Sequence, residues 1–524
     1  NFYGSGSLGT VIKDHYPNRD QIDVPLNTKI IISFRPAVST TFFITDTSGN
    51  GILGDCKNIG DSNFVWQTDC DTLKPSIPGP GGVDLIDIKR GDTGALIRGA
   101  NVLASYENGK VYTIVIRPFD YLGSDTEKIP YTVRIGKGVL TDDPANGNKS
   151  VFEGFPSGRD CYEWNFTCDT KLDVTPPHVV DVFPARTSTE AKNTAIQITF
   201  DKAMDPTTVQ GSFSDGTGAD ANAYILNGSS VFIKKSTNID TVPLGNFRLV
   251  NNYRTMEFAS SVICGQNACG GNVYCMPVAD GAIASYELLL RAGRAFSATS
   301  FEAMPFSGVM DASGNALDGD ADGQVDRATY PPLGAVFDTQ KVPDNYFGWT
   351  FALEDRLDLV PPFINNTTPG PNATFVLPND EWSMVFSKRM LNGSLYEIGI
   401  SVSPATIDPP CRSPRVGDVQ PDGTVVSVRA DGSQKVLMSH CGFVTNQTRI
   451  YYIPIVDSRV QDAHYNCLYP GKGPNALIQN SNNSVVCDSA NPTNCCAVDN
   501  NTNPFCCNGL ASNDSRQTCL DKLK

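Results

Sequence analysis

The chain has 524 residues, 19% of them charged, and a formal net charge of −15 at pH 7. This acidic balance excludes nucleic acid as a partner, because a phosphate backbone is bound by surfaces rich in Lys and Arg. The length predicts several domains with separate cores, and no run of about 20 apolar residues predicts a membrane span.

The N-terminal segment predicts a secreted protein. The chain begins at Asn1 rather than at Met, so we expect that a signal peptide has been removed and that the protein is extracellular or on a cell surface. The segment NFYGSGSL precedes the first predicted strand. It is a candidate assembly strand, and its candidate contact residues are Asn1, Phe2, Tyr3 and Leu8.

An internal repeat organises the rest of the chain. The sequences LDVTPP and LDLVPP each contain a Pro-Pro pair, and Trp164 and Trp349 each lie 12 residues before that pair. This spacing predicts a repeat of about 185 residues, in line with a tandem array of domains. The predicted boundaries are 1–173 for the first domain with its N-terminal extension, 174–359 for the second, 360–475 for the third and 476–524 for a Cys-rich tail.

The local pattern predicts strands throughout. KIIISF, IQITF, YEWNF and FGWTF alternate apolar and polar residues, which is typical of strands with one buried face. No long 3.6-residue apolar period occurs, so we expect few and short helices. Trp164, Trp349 and Trp382 lie in predicted strands and are expected in the cores, the alternative being a carbohydrate-binding surface. The Pro-Pro pairs predict stiff joints.

These residues carry a resemblance to a known family. The segment TPPHVVDVFPARTSTEAKNTAIQITFDKAMDPTTV resembles the beginning of a bacterial immunoglobulin-like domain of the SbsA type. The third copy follows the pattern less closely, and the first copy follows it least. The resemblance implies an all-β fold of tandem immunoglobulin-like β-sandwich domains, followed here by a disulfide-rich C-terminal tail. It also implies scaffolding in surface-layer or adhesin proteins and brings no catalytic residues.

Cysteine usage favours disulfides over metal binding. The 16 cysteines include no C-x-x-C pair and accompany only four scattered histidines, and disulfides are typical of extracellular proteins. We expect Cys56 to pair with Cys70, and Cys161 with Cys168 to close a small loop. A bridge between domains or to the tail, or a metal bound by the tail, remains open for the others, which are Cys264, Cys269, Cys275, Cys411, Cys441, Cys467, Cys487, Cys495, Cys496, Cys506, Cys507 and Cys519.

Two further motifs concern modification and metal. Asp318, Asp320, Asp322 and Asp326 fall at positions 1, 3, 5 and 9 of an EF-hand-like loop, with Gly323 at position 6. We expect a structural, weakly bound Ca²⁺ there, because Thr replaces the usual final Glu; the alternative is a solvated acidic turn. Eleven Asn-x-Ser/Thr sequons are candidate glycosylation sites, at Asn148, Asn165, Asn227, Asn365, Asn366, Asn372, Asn392, Asn446, Asn482, Asn500 and Asn513.

Catalytic motifs are missing from the sequence. It contains no G-x-S-x-G, H-E-x-x-H, Walker or dinucleotide-binding pattern, and His15 and His178 are expected on the surface near domain joints. We therefore expect no enzyme and no organic cofactor; the alternative is a pair of carboxylates for glycoside hydrolysis.

The ends of the array suggest assembly. The third copy lacks the Trp-x-Phe strand that ends the other two, which predicts an open sheet edge. An open edge and a free N-terminal strand are the two halves of a donor-strand contact between identical subunits. Alternatively, NALIQ or SVVCD from the tail supplies the missing strand. The predicted function is a structural subunit of a filament or layer with copies of itself as partners, the alternative being an adhesin that binds a surface glycan or a protein.

Overall fold

The computed structural model describes most of the chain up to residue 469 and three short strands of the tail. The described residues are 11–61, 63–153, 160–215, 223–226, 231–235, 245–267, 270–296, 300–323, 346–403, 421–428, 432–440, 443, 451–456, 459–469, 485–487, 494–498 and 504–508.

The first repeat is a sandwich of two sheets, with strand orders β1-β3-β8-β7-β5-β4 and β2-β10-β9-β6. Apolar residues of both sheets form one core, and Trp164 and Phe34 are among its fully buried side chains. A short helix, α1 (Trp66–Asp69), and a 3-10 turn (Thr40–Phe42) connect the strands. The strands are β1 (Ile12–Tyr16), β2 (Gln21–Val24), β3 (Ile30–Phe34), β4 (Ile44–Thr45), β5 (Thr72–Leu73), β6 (Ile86–Arg90), β7 (Ala100–Glu107), β8 (Lys110–Pro118), β9 (Ile129–Gly136) and β10 (Cys161–Cys168).

The second repeat has the strand order β11-β13-β18-β17-β14-β15-β16-β21-β22-β12. Strand β14 pairs with β17 on one side and with β15 on the other. It therefore connects the layer that contains β11, β13, β18 and β17 to the layer that contains β15, β16, β21, β22 and β12. One helix, α2 (Pro206–Val209), precedes β14, and Asp205 caps it. The strands are β11 (Val179–Phe183), β12 (Thr189–Ala191), β13 (Ile196–Phe200), β14 (Gly211–Asp215), β15 (Ala223–Leu226), β16 (Val231–Lys235), β17 (Gly245–Val250), β18 (Thr255–Ser260), β19 (Ile263–Gln266), β20 (Asn272–Tyr274), β21 (Ile283–Arg291) and β22 (Tyr346–Glu354).

The third repeat has a four-stranded sheet, β23-β24-β27-β26, and a two-stranded sheet, β25-β28. A 3-10 helix (Asn392–Glu397) leads into β25. In the tail, three short strands pair only with one another among the described residues. The strands are β23 (Ile364–Thr368), β24 (Trp382–Phe386), β25 (Ile398–Ser403), β26 (Pro421–Val428), β27 (Gln434–His440), β28 (Tyr451–Val456), β29 (Val485–Cys487), β30 (Asn494–Val498) and β31 (Pro504–Asn508).

The three repeats share one frame. The sheets β1-β3-β8-β7, β11-β13-β18-β17 and β23-β24-β27-β26 have the same order, and each first strand pairs with the second through the same irregularity near its start. The prolines that the sequence aligns, Pro17, Pro184 and Pro369, all follow cis peptide bonds. The all-β fold of tandem immunoglobulin-like sandwiches is therefore confirmed, and no strand lies within 169–178 or 355–363, the stretches that contain the predicted joints.

The repeats pack against one another over wide faces. All five residues of β3 are buried, because Ile30 and Ile32 face the first core while Ile31 joins the core of the second repeat. The outer face of this sheet also binds the second repeat through Tyr253, whose hydroxyl lies 2.9 Å from that of Ser33. The expectation that KIIISF buries one face was wrong, since a neighbouring repeat covers the other.

None of the described helices has the length and apolar character needed to cross a bilayer.

Candidate assembly surfaces

The joint between the first two repeats is held by five polar residues. The Asn27 side-chain amide donates to the backbone carbonyl of Asp173 at 2.7 Å, and its oxygen accepts from the Asp173 backbone N–H at 2.9 Å. The Lys202 ammonium lies 2.8 Å from the Asp173 carboxylate and 3.8 Å from that of Asp311. The Asn315 amide also donates to the Asp173 carbonyl. We name this set the junction clamp; it fixes the linker to both neighbouring repeats.

The same clamp recurs at the second joint. The Asn193 amide donates to the Asp358 carbonyl at 2.8 Å and accepts from the Asp358 N–H at 2.9 Å. The Lys388 ammonium lies 3.1 Å from the Asp358 carboxylate and 2.7 Å from that of Asp462. The Asn466 amide donates to the Asp358 carbonyl at 3.1 Å. Equivalent residues therefore make the same contacts at both joints between consecutive repeats.

The pKa values of two clamp carboxylates shift in opposite directions. Burial raises the pKa of Asp311 to about 7, although hydrogen bonds from Asn315 and the charge of Lys202 oppose the shift. Burial also opposes ionisation of Asp358, but the nearby charges of Lys388 and His464 outweigh it and hold the Asp358 pKa below its usual value.

A buried ion pair marks the first joint and is replaced by apolar contact at the second. The Lys29 ammonium lies 2.8 Å from the Asp205 carboxylate, with exposed side-chain fractions of 3% and 1%. The positions equivalent to these two hold Ala195 and Leu391 at the next joint, where the two residues lie in one small apolar cluster. The two joints therefore share the clamp but differ in this central contact.

The third repeat also touches the first. The Tyr396 hydroxyl donates to the Asp14 carboxylate at 2.6 Å, and Lys13 lies over the Tyr396 ring. Burial raises the pKa of Asp14 to about 6, and burial together with the charge of Arg248 lowers the pKa of Lys13 to about 8. Residues of all three repeats thus lie close together here: Asp14 and Lys13 belong to the first, Arg248 to the second and Tyr396 to the third.

The second and third repeats meet at the 3-10 helix. The Glu257 carboxylate accepts from the backbone N–H groups of Asn392 and Gly393 at 2.6 and 2.9 Å, and burial raises its pKa. Asn392 is buried in this contact. This burial contradicts Asn392 as a candidate glycosylation site in the folded chain.

The third repeat has an open sheet edge in the described part of the chain. Strand β21 pairs with β16 and the closing strand β22, and β9 pairs with β6 and the closing strand β10. Strand β28 pairs with β25 alone among the described residues. In the first two repeats, β2 and β12 pair with the closing strands β10 and β22. Phe375 and Leu377 occupy the equivalent place in the third repeat, and they are 97% and 62% exposed. Of the tail candidates, SVVCD pairs with β30 instead, and NALIQ lies outside the described residues.

Two disulfide bonds are described in full. Cys56 pairs with Cys70, as expected, and Cys264 pairs with Cys275; Cys161 and Cys467 are also disulfide-bonded. Cys168 carries a free, buried thiol. The predicted Cys161–Cys168 bridge was wrong, because the two residues stand at opposite ends of β10, about 23 Å apart at about 3.3 Å per residue.

The disulfide bonds of the remaining cysteines stay predictions. Cys269, Cys411, Cys441 and Cys519 lie outside the described residues, and the tail strands that contain the other cysteines are described as backbone only.

The acidic loop brings three of its four predicted ligands together. One carboxylate oxygen from each of Asp318, Asp320 and Asp322 lies within 4.8 Å of the others. The Asp318 carboxylate also accepts from the backbone N–H groups of Ala321 and Gly323 at 2.7 and 2.8 Å. The fourth ligand, Asp326, lies outside the described residues. This oxygen-only set suits a hard cation such as Ca²⁺.

The other predicted surface residues divide by exposure. The sequons at Asn165, Asn365, Asn366 and Asn372 are exposed and Asn148 is half-buried, so these remain candidates. His178 is partly exposed, but His15 was wrongly expected on the surface: it is buried and stacks on Trp164 with ring centroids 4.1 Å apart. Residues outside the described ranges include the sequons Asn227, Asn446, Asn482, Asn500 and Asn513 and the assembly-strand residues Asn1, Phe2, Tyr3 and Leu8.

Comparison with known proteins gives one family match. A family model described as a bacterial Ig-like domain matches residues 173–241, at the start of the second repeat. This match confirms the resemblance drawn from the sequence. No curated protein matches the chain.

Solved structures give distant similarities. Surface layer protein SbsC, domains 1–6, is 10% identical over 96% of this chain and 58% of that chain, with a TM-score of 0.16. The S-layer protein rSbsC is 10% identical over 93% and 62% of the two chains, also with a TM-score of 0.16. Mouse cadherin-23 EC22–24 is 8% identical over 72% and 81%, with a TM-score of 0.10. The chain spans less than two thirds of either surface-layer structure.

Proposed function

We propose that this chain is an extracellular structural protein without catalytic activity, the subunit of a surface filament or layer that assembles head to tail. Its immunoglobulin-like repeats and disulfide bonds are typical of extracellular scaffolds. The observation that carries the proposal is the asymmetry of the array: the first two repeats have closing strands, whereas β28 of the third has none among the described residues.

Donor-strand complementation is the proposed mode of assembly. An open edge exposes unpaired backbone N–H and C=O groups together with apolar side chains such as Phe375. A strand from another copy that pairs there satisfies these groups and covers the apolar surface. The N-terminal segment, with Phe2, Tyr3 and Leu8 as its apolar residues, is the proposed donor. Because donor and acceptor lie at opposite ends of the chain, the contact does not close on itself and extends into a polymer.

Deleting residues 1–8 tests this function. We expect the full chain to form filaments or sheets visible by negative-stain electron microscopy, and the deletion variant to remain monomeric by light scattering with an unchanged circular dichroism spectrum. A control variant, with the same eight positions replaced by the shuffled order of the same residues, separates sequence-specific pairing from length. A full chain that stays monomeric and binds glycans or proteins would contradict assembly and favour an adhesin.

We further propose that the acidic loop binds a structural Ca²⁺. The loop is anchored to the first joint, since the Asp318 backbone N–H donates to the carbonyl of Pro177 at 2.8 Å. A cation held by its carboxylates would therefore stiffen the region around the linker.

The calcium proposal predicts a stability change. At a Ca²⁺ concentration 100 times the Kd, the free energy of unfolding should rise by about 2.7 kcal/mol relative to the protein in EDTA, measured by thermal unfolding. Asp320→Asn should abolish this gain, whereas Asp280→Asn, at an exposed carboxylate elsewhere in the second repeat, should retain it. An equal gain in both variants would exclude this loop as the site.

A further inference from the structure

Each repeat has a leading socket, the surface that faces the preceding repeat. In the second repeat it consists of residues 202–205 and 311–315, and in the third of residues 388–391 and 462–466. The first repeat has the same backbone frame at residues 36–39 and 141–149: the Asp142 N–H donates to the Ala37 carbonyl at 2.8 Å. The equivalent hydrogen bond runs from the Ala312 N–H to the Ala203 carbonyl in the second repeat, at 2.8 Å. In the third repeat it runs from the Ala463 N–H to the Arg389 carbonyl, at 2.9 Å.

The leading socket of the first repeat is open. It coincides with a cleft of about 880 Å³ that Pro36, Thr141, Asp142 and Lys149 help to line. The equivalent side chains of the two later sockets are buried, whereas Thr141 and Asp142 are half-buried and Lys149 is exposed. The first socket is therefore built like the other two but has no described part of this chain docked in it.

Each repeat also has a trailing end, the turn that enters the next socket. One backbone hydrogen bond of 2.8–2.9 Å holds this turn in each repeat. Its acceptor is the carbonyl of Leu26 in the first repeat, Lys192 in the second and Pro378 in the third. Asn27 and Asn193 follow the first two of these residues and insert into the next socket. Asn379 has the same place in the third repeat, where it is exposed.

We propose that the trailing end of the third repeat docks into the leading socket of the first repeat of a second copy of this chain. The same pair of surfaces is joined twice within the chain, and one further example of each has no docked partner among the described residues. The proposal deepens the proposed head-to-tail function by assigning its contact surfaces, but it does not depend on residues 1–10.

The backbone contacts of the existing joints can be repeated at this contact. The Lys29 and Ala195 N–H groups donate to socket carbonyls at 2.9 and 2.8 Å, and Glu381 occupies the equivalent position in the third repeat. Its acceptor would be the Asp142 carbonyl. The Asn379 amide would donate to the carbonyl of Asp143, as Asn27 does to the carbonyl of the equivalent socket residue.

The side chains at this contact predict a weaker joint than those within the chain. Pro36 and Thr141 stand where the clamp has Lys and Asp. In the docked pair, Ser39 would face Glu381, at the place where Asp205 faces Lys29 within the chain. The contact therefore keeps the backbone frame but loses the ion pairs, which suits reversible association between copies.

Site-directed cross-linking tests the docking. One full-length variant carries Glu381→Cys and another carries Asp142→Cys; the two are mixed, oxidised mildly and digested, and the linked peptides are identified by mass spectrometry. We expect a 142–381 linkage between copies. Ala195→Cys with Ala463→Cys in one chain is the positive control, because these residues share the equivalent backbone hydrogen bond. Leu96→Cys, at an exposed residue in a loop of the first repeat, replaces Glu381→Cys in the negative control.

The outcomes separate docking from the proposed function. Asn379→Ala, at an exposed position, should slow formation of the 142–381 linkage about tenfold, as expected for the loss of about 1.4 kcal/mol of contact. Filaments that form without this linkage would overturn the docking and leave head-to-tail assembly standing. The linkage in a variant lacking residues 1–8 would support the docking and remove the donor strand as a requirement.

Discussion

Replacing Lys29 with Ala is expected to lower the free energy of unfolding by about 3–5 kcal/mol, because it leaves the buried Asp205 carboxylate without its cationic partner between two repeats. Desolvation makes the loss large: both side chains are almost fully buried. Lys128→Ala provides the matched control. Its ion pair with Asp23 joins side chains that are each 53% exposed, and such a surface pair contributes about 0–1 kcal/mol.

The second joint supplies the compensating change. Since Ala195 and Leu391 stand where Lys29 and Asp205 stand at the first joint, Lys29→Ala combined with Asp205→Leu should recover most of the lost stability. Recovery should fall short by about 1 kcal/mol, because Asp205 also caps α2 through the Thr207 backbone N–H. Thermal unfolding and proteolysis of the linker at 169–178 measure both effects. A double variant no more stable than Lys29→Ala would show that the two joints are not interchangeable.

The sequence was informative where a residue pattern acts locally. Alternating apolar residues predicted the strands around Trp164 and Trp349. The fixed spacing from these residues to the Pro-Pro pairs predicted joints near residues 173 and 359, which lie in stretches without strands. Both features depend on short-range geometry, namely the period of a strand and the stiffness of consecutive prolines.

Contacts between repeats could not be predicted in the same way. The burial of both faces of β3 and of Asn392 depends on a neighbouring repeat, and no local pattern reports that neighbour. The junction clamp did leave a signal. Asp173 and Asp358 precede the two Pro-Pro pairs, and the sequences DASGN and DAHYN repeat the spacing of the socket Asp and Asn. Pairwise alignment of the repeats would have shown these residues, but only the structure shows that they meet.

Replacing either closing-strand tryptophan with Ala is expected to cost about 3–5 kcal/mol, because each fills the centre of its sandwich. Replacement with Phe should separate the two positions. The Trp349 indole N–H donates to the Pro184 carbonyl at 3.1 Å. The Trp164 indole N–H is buried without a hydrogen-bond partner, since His15 takes the equivalent carbonyl of Pro17 at 2.8 Å.

Trp349→Phe should therefore be the more destabilising of the two, by about 1–3 kcal/mol, because it leaves the buried Pro184 carbonyl without a donor. Trp164→Phe removes an unsatisfied donor, and its cost is limited to lost volume and to weaker stacking on His15. Thermal unfolding of the two variants side by side measures the difference. Equal losses would mean that packing alone, rather than the shared carbonyl acceptor, sets the stability of the closing strand.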